Sequence, residues 1–390
     1  LIESKQRLGG HTYSIQVKDP TLGNIAIDMG FIVFNLINYP LFTKFLNSLS
    51  VNYKNSDMSF GYYDSTESFF YNSDFPFGTF AKKRHIFSPK FWNFLGGIRY
   101  FNQQVLKDLE LNTFNALSLG DYLRLKQFNP WVIEKYILPM GAAIWSCPNH
   151  DILDFPAQSF FNFWKNHNLL TLGKRPVWKT VSHASQSYID AFQSRFTGNI
   201  FLNHPINSIK RSAQGVELYA HNKQVIKADN VILATHANQA YQLLDSPSSL
   251  ETKLLSAWSY SDNIVSLHTD SSLMPPKRAA WSSWMVHQHQ QNTQKLTMSY
   301  YMNRLQAIVS KTPYFVSLNA EKNITKKHLL HQVNFSHPIF NQSSVATQKD
   351  LQQLNKTGPI YFCGSYFGNG FHEDGIRSAV NLARHLGVTF

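Results

Sequence analysis

The feature that most constrains this chain is its tail. "PIYFCGS" (359–365) is a buried-strand run, and "GSYFGNGFHEDGIRSAVNLARHLG" (364–387) follows as a glycine-rich turn and a helix starting near 374. Ile376, Ala379, Val380, Ala383 and Leu386 recur at i, i+3, i+4, i+7 and i+10, which is one helical face. Ser378, Ala379 and Ala383 are small enough to let that face lie close to a sheet. Gly375 leaves the first turn open to a ligand, where free N–H groups and the positive dipole end favour anions and electron-rich carbonyls. Taken alone, this is an ordinary amphipathic terminal helix.

The opening, "LIESKQRLGGHTYS", supplies a matching half. Leu1-Ile2 reads as the end of a buried strand and Glu3 as the acidic residue that follows it. In a dinucleotide-binding unit such a residue bonds the ribose hydroxyls, although an isolated Glu is more often a surface residue. Gly9 and Gly10 permit a close backbone approach to a pyrophosphate, and Arg7 can neutralise it. "IAIDMGF" then brings Asp28-x-Gly30 to a second strand end. The first strand and its GxGxxG loop would stand before Leu1, so the expected gene product is longer, and tight cofactor binding from Leu1 onward is in question.

Between these ends the patterns alternate. Residues 13–29 form paired strands around an Asp19-Pro20 turn, 40–50 a helix, and 59–72 strands. From 88 to 195 the spacing is mostly helical, with 118–128 and 131–140 interrupted by Pro130 and Pro139, and another helix at 187–196. Short strands follow at 199–211, 215–222 and 229–236. The middle pair is a hairpin, and "VILAT" is a continuous apolar run suited to a buried parallel strand. "HQHQQNTQ" (287–294) reads as a solvated loop. Two histidines at i, i+2 without a third ligand give no metal site.

A chain of 390 residues suggests two domains or one large interleaved unit. Thirty Phe and eighteen Tyr are enough to line an apolar cavity, although core packing is the commoner use. The net charge of +12 favours anionic partners. No basic run or nucleic-acid motif is present, so nucleic acid is not expected and an anionic phospholipid surface fits better. Cys147 and Cys363 form no CxxC and no disulfide framework, which suits a reducing compartment. No stretch reaches the roughly 18 apolar residues of a spanning helix. The expected location is therefore cytoplasmic, with peripheral contact at the inner membrane.

The segments E-x3-RLGGH, DMGFIVFN, DNVILATH and YFCGSYFGNGFHEDGIRSAVNLA, in this order, resemble the flavin-containing amine oxidase and phytoene desaturase superfamily. "IWS", "WKTVSHAS", "LHTD", "YYMNRLQ" and "GFHEDGIRSA" are similar to a bacterial branch of FAD-binding oxidoreductases associated with cyclopropane and methyl-branched fatty-acid synthesis. The resemblance spans essentially the whole chain. It implies an α/β fold: a Rossmann-like FAD-binding domain of glutathione-reductase type, N-terminally truncated, interleaved with an α+β substrate domain. The FAD-binding parts are expected at 1–60, 186–250 and 355–390, and the substrate parts at 61–185 and 251–354.

The resemblance also implies roles. Glu3 would hold the adenosine ribose, and Arg7, Gly9, Gly10 and His11 would line the pyrophosphate. Asp28, Gly30 and Phe31 would run beneath the flavin. Ile206 would lie near the adenine, with Ala234 and Thr235 at the next strand end. Gly364 and Ser365 would meet the ribityl phosphate, and Asp374, Gly375 and Ile376 the isoalloxazine carbonyl. Most of the superfamily has Arg where His11 stands, which weakens one phosphate contact or makes it pH-dependent. Cys363, which precedes Gly364 inside a strand, reads as buried core, so the FAD is expected to be non-covalent. The flavin-facing wall is expected from Trp145, Trp178, Tyr300, Phe367, Phe371 and His372.

Three functions are compatible with these expectations. One is desaturation or isomerisation of an unsaturated or methylated fatty acyl chain, by hydride transfer from C–H to flavin N5. Another is amine oxidation, although Phe371 or His372 replaces the usual cage tyrosine. The last is a lipid-binding remnant without FAD.

Overall fold

The chain's first regular element is a hairpin, β1 (Ser14–Asp19) and β2 (Gly23–Asp28), paired antiparallel from Ser14 opposite Asp28 to Asp19 opposite Gly23. Its turn is fixed by Asp19, whose Oδ1 accepts from the Thr21 and Leu22 N–H groups at 2.8 Å each. The computed structural model describes residues 1–114, 116–145, 149–171, 176–288 and 297–390. Cys147 and most of the polar 287–294 stretch lie outside the described residues.

Next come β3 (Phe34–Asn35), α1 (Pro40–Ser48, with proline in its first turn), β4 (Tyr53–Asn55), β5 (Phe60–Asp64) and β6 (Phe69–Asn72). The helical region opens on α2 (Pro89–Glu110), capped by Ser88, and α3 (Leu119–Lys126), capped reciprocally by Ser118 and Asp121. Pro139 does not break the next helix. α4 (Pro130–Val132) widens into a π-turn at Ile133–Ile137 and continues as α5 (Leu138–Trp145). The wider turn just before Pro139 is one way a helix accommodates its ring and its missing N–H. α6 (Asn149–Leu153) and α7 (Ala157–Asn166) complete this layer. The aromatic excess is used here as core: Phe101 packs on Phe128, Phe161 and Trp164, and Trp164 on Phe160.

β7 (Trp178–Val181) pairs with β3 and β4, and leads into α8 (Gln186–Arg195). The strand expected over 199–211 is shorter. β8 (Ile206–Ser212) forms a three-stranded meander with β9 (Gly215–Ala220) and β10 (Val225–Ala228). Upstream of it, Phe201 makes only a parallel bridge to Ile2. β11 (Val231–Leu233) is parallel as expected but not fully buried: Ile232 is 49% exposed, because one face of this edge strand is open.

After α9 (Ala237–Leu243) and α10 (Ser249–Leu255) come β12 (Tyr260–His268), β13 (Trp284–Gln288), β14 (Thr297–Tyr301), α11 (Met302–Leu305), β15 (Phe315–Leu318) and β16 (Leu329–Pro338). These strands join β5 and β6 in one seven-stranded mixed sheet, ordered β16-β12-β15-β14-β13-β5-β6. α12 (Gln342–Thr347), β17 (Ile360–Phe362, parallel to β11) and α13 (His372–His385) end the chain. Lys135, in the π-turn, is buried and pairs with Asp64 at 3.2 Å and Glu67 at 2.9 Å, tying the helical layer to β5.

Candidate functional site

The glycine turn after residue 7 is built from the inside. Gly9 and Gly10 take φ of 108° and 57°, and the Thr12 N–H donates to Gly9 O at 2.8 Å. Arg7 clamps this turn through its carbonyls, donating to Thr12 O at 3.0 Å and Gly10 O at 2.8 Å, with its guanidinium 3.9 Å from the Tyr13 ring centre. Its donors therefore shape the loop. Gly30 must be glycine, because a Cβ there would meet His11 O at 2.0 Å. That approach brings the end of β2 against the turn.

Three residues past the end of β2, the chain meets α13. Phe31 stacks on His372 with ring centres 3.6 Å apart, and crosses Phe42 of α1 at 5.1 Å. His372 Nε2 lies 3.1 Å from Thr12 Oγ1 and 3.0 Å from Tyr188 OH, and those two hydroxyls are bonded to each other. Burial pushes His372 down to about 3, so its imidazole is neutral at ordinary pH, and pushes the Tyr188 phenol up. Asp28 is fully buried and accepts from Ser14 Oγ at 2.6 Å and the Ser185 N–H at 2.8 Å. Burial outweighs these bonds and raises its carboxyl to about 7.

Beside the turn lies a histidine cluster. His11 stacks on Phe335 at 4.7 Å, with His337 at 5.3 Å and His236 at 5.7 Å. Burial, then His337 and His236, hold His11 well below the usual imidazole range; His337 is pushed to about 4. His11 Nε2 is buried and has no hydrogen-bond partner. Among the described residues no group of three His, Cys, Asp or Glu is placed to hold a metal ion.

The other expected residues lie as follows. Glu3 closes on its own linker, accepting from the Lys5 N–H at 2.8 Å, while its N–H donates to Phe201 O. His204, bonded to Glu3 O through its backbone, also carries a buried Nε2 without a partner. Ile206 opens the meander opposite Ala220. Ala234 and Thr235 follow β11, and Thr235 O lies 3.4 Å from a Cβ built on Gly364, whose N–H is bonded by Ser378 Oγ at 2.9 Å. Ser365 begins the next turn, and its carbonyl accepts from the N–H groups of Gly368 and Gly370 at 3.1 Å each. Asp374 caps α13 through the Phe371 N–H at 3.1 Å, and a Cβ on Gly375 would meet only Ser365 N, at 3.9 Å. Ile376 packs with the cluster around Phe34 and Phe42.

Of the aromatic wall, Phe371 stacks on Phe163 at 5.0 Å. Phe163 touches Trp145 at 4.9 Å and His167 at 3.9 Å, and His167 faces Trp178 at 6.3 Å. Trp145 also donates to Asn369 O at 3.3 Å. Phe367 rests on Tyr366, and Tyr300 on Trp284 within the sheet. Sequence reasoning missed Thr12, Tyr188, His236 and His337. Thr12, beside His11 in the glycine turn, was the one with a signal.

The glycine turn, the end of β2 and the N-terminus of α13 meet beside the stacked Phe31–His372 pair, in a fold that solved oxidases and an isomerase share. Solved structures with this fold include putrescine oxidase bound to putrescine (13% identity, TM-score 0.67, 99% of this chain and 92% of that one). A putative protoporphyrinogen oxidase from Exiguobacterium sp. 255-15 aligns at 14% identity and TM-score 0.66, and a CLA-producing fatty acid isomerase from P. acnes at 10% and 0.65, each over 99% and 92% of the two chains. No curated protein sequence matches the chain. The family model for flavin containing amine oxidoreductases matches residues 1–386, and the chain belongs to that family. It is an FAD-dependent oxidoreductase.

The residues present fit FAD. The side of Gly10 where a Cβ would stand is open within 4 Å, and Gly375 leaves the first turn of α13 nearly bare, so a dinucleotide can approach the backbone at both places.

Proposed function

We propose that the protein oxidises or isomerises an apolar, acyl-type chain, a fatty acid or its lipid ester, at the FAD. The cofactor supplies a hydride acceptor for a substrate C–H bond. The chain binds it between the Gly10 turn and Gly375, and the Thr12–Tyr188–His372 network sets the ring of His372 against Phe31. Phe371, Phe163, Trp145 and Trp178 keep water from the reacting carbon.

The observation that carries this reading is that the nearby carboxylates all face inward. Glu373 accepts from the Leu41 and Phe42 N–H groups at 3.2 and 2.9 Å, Asp374 holds its own helix cap and Arg377, and Asp28 holds Ser14 and Ser185. An ammonium substrate needs an available carboxylate or an aromatic cage. Here Phe371 is already stacked on Phe163, and His372 on Phe31. A cytoplasmic location belongs to the same proposal. Its support is the cysteine usage, with Cys363 free and buried. No described helix is long and apolar enough to cross a membrane.

The test is anaerobic incubation with unsaturated fatty acids or phospholipids, followed by gas chromatography. The proposal expects a gained or shifted double bond. Turnover of putrescine or monoamines with no change in any acyl chain would overturn it.

A further inference from the structure

Residues 75–100 form a surface that the flavin site does not use. Phe75, Phe77 and Phe87 are 73%, 84% and 85% exposed, with Trp92 at 50% and Tyr100 at 58%. Scattered single apolar residues are normal at a surface, but these are gathered. Trp92 Nε1 donates to Ile86 O at 2.9 Å, its ring lies 5.4 Å from Phe80, and Phe80 lies 6.0 Å from Phe75. The turn that carries Phe75 and Phe77 is ordered, with the Gly78 N–H on Asp74 O at 2.7 Å and the Phe80 N–H on Pro76 O at 3.0 Å. Beneath it, Phe91, Phe94 and Phe101 bury the other face of α2.

The same stretch is basic. It carries Lys82, Lys83, Arg84, Lys90 and Arg99, with no Asp or Glu from 75 to 100. Asp74, at its edge, is held by Arg304 at 2.9 Å. Trp92, Arg99 and Tyr100 repeat at i, i+7 and i+8, so α2 extends the aromatic and cationic face along its exposed side. Exposed rings flanked by cations match the interfacial zone of a bilayer, where rings sit at headgroup depth and Lys and Arg reach the phosphates.

We propose that residues 75–100 dock the protein peripherally on an anionic phospholipid membrane. The inference goes beyond the acyl reading and does not need it, since a flavin enzyme for amines could dock in the same way.

Flotation with vesicles of phosphatidylglycerol and phosphatidylcholine, and of phosphatidylcholine alone, tests it. The protein is expected to float with the anionic vesicles. The triple variant Phe75→Ser, Phe77→Ser, Phe87→Ser is expected to lose at least about tenfold in binding, through lost apolar insertion. Lys83→Glu with Arg84→Glu is expected to lose at least about fivefold per cation on anionic vesicles only. All these side chains are exposed, so circular dichroism and the thermal melt should match the parent. A parent protein that stays in solution, or vesicle binding that survives both variants, would overturn the proposal. Stronger binding to single-stranded DNA than to vesicles, lost in the same variants, would assign the patch to nucleic acid instead.

Discussion

His372 shows how one residue sets the pH response of the site. In the fold it takes a proton only near pH 3, whereas an unfolded chain takes it near about 6.5. The lowered folded value means that its contribution to stability is intact above about 6.5 and is lost as pH falls toward 3. His372→Phe leaves Thr12 and Tyr188 bonded to each other. Urea unfolding between pH 4 and 7 should therefore show a shallower acid loss in that variant than in the parent. Asp28 has the opposite sign. Its carboxyl is raised to about 7, so its contribution is full below about 3.8 and declines as pH rises to 7. Asp28→Ala would leave Ser14 Oγ and the Ser185 N–H without their acceptor, and should cost about 3 kcal/mol by urea denaturation. An unchanged midpoint would show that these bonds are replaceable.

At the scale of elements, glycines mark where a helix face is packed and where it is open. A Cβ on Gly141 of α5 would meet the Phe160 ring of α7 at 2.9 Å, whereas one on Gly96 of α2 meets nothing within 4 Å. Gly141→Val should destabilise by about 1–3 kcal/mol, and Gly96→Ala should stabilise by about 0.5–1 kcal/mol, both read from thermal melts. Most elements were legible because their signals are local. α13 follows from one apolar face, the β1–β2 hairpin from Asp19-Pro20 and Gly23, and α3 from its three-to-four-residue apolar spacing. Pro139 was misread as an interruption because proline argues against a regular α-turn, and sequence gives no sign of the wider turn before it. The Thr12–Tyr188–His372 contacts were illegible for another reason. Their partners lie 176, 184 and 360 residues apart, where no periodicity can connect them.

At the scale of the molecule, the seven-stranded sheet and the helical layer are joined through buried charge as well as packing. Lys135 is inside, and it is paired on both sides by Asp64 and Glu67. Lys135→Ala would leave Asp64 buried without its cation and should cost about 3–5 kcal/mol in chemical denaturation. The basic surface is similarly uneven: five of the cations lie within 75–100 among exposed rings, so the net charge of +12 is in part a local device. The account as a whole depends on FAD lying where the Gly10 turn, the end of β2 and the first turn of α13 converge. The most direct test is the flavin content of the purified protein beside Gly375→Leu, with thermal melts of both after the flavin is stripped. The account predicts about one FAD per parent chain, little or none in the variant, and an apo-protein melt that is unchanged or slightly raised. A variant that keeps its full flavin, or a colourless parent, would contradict it.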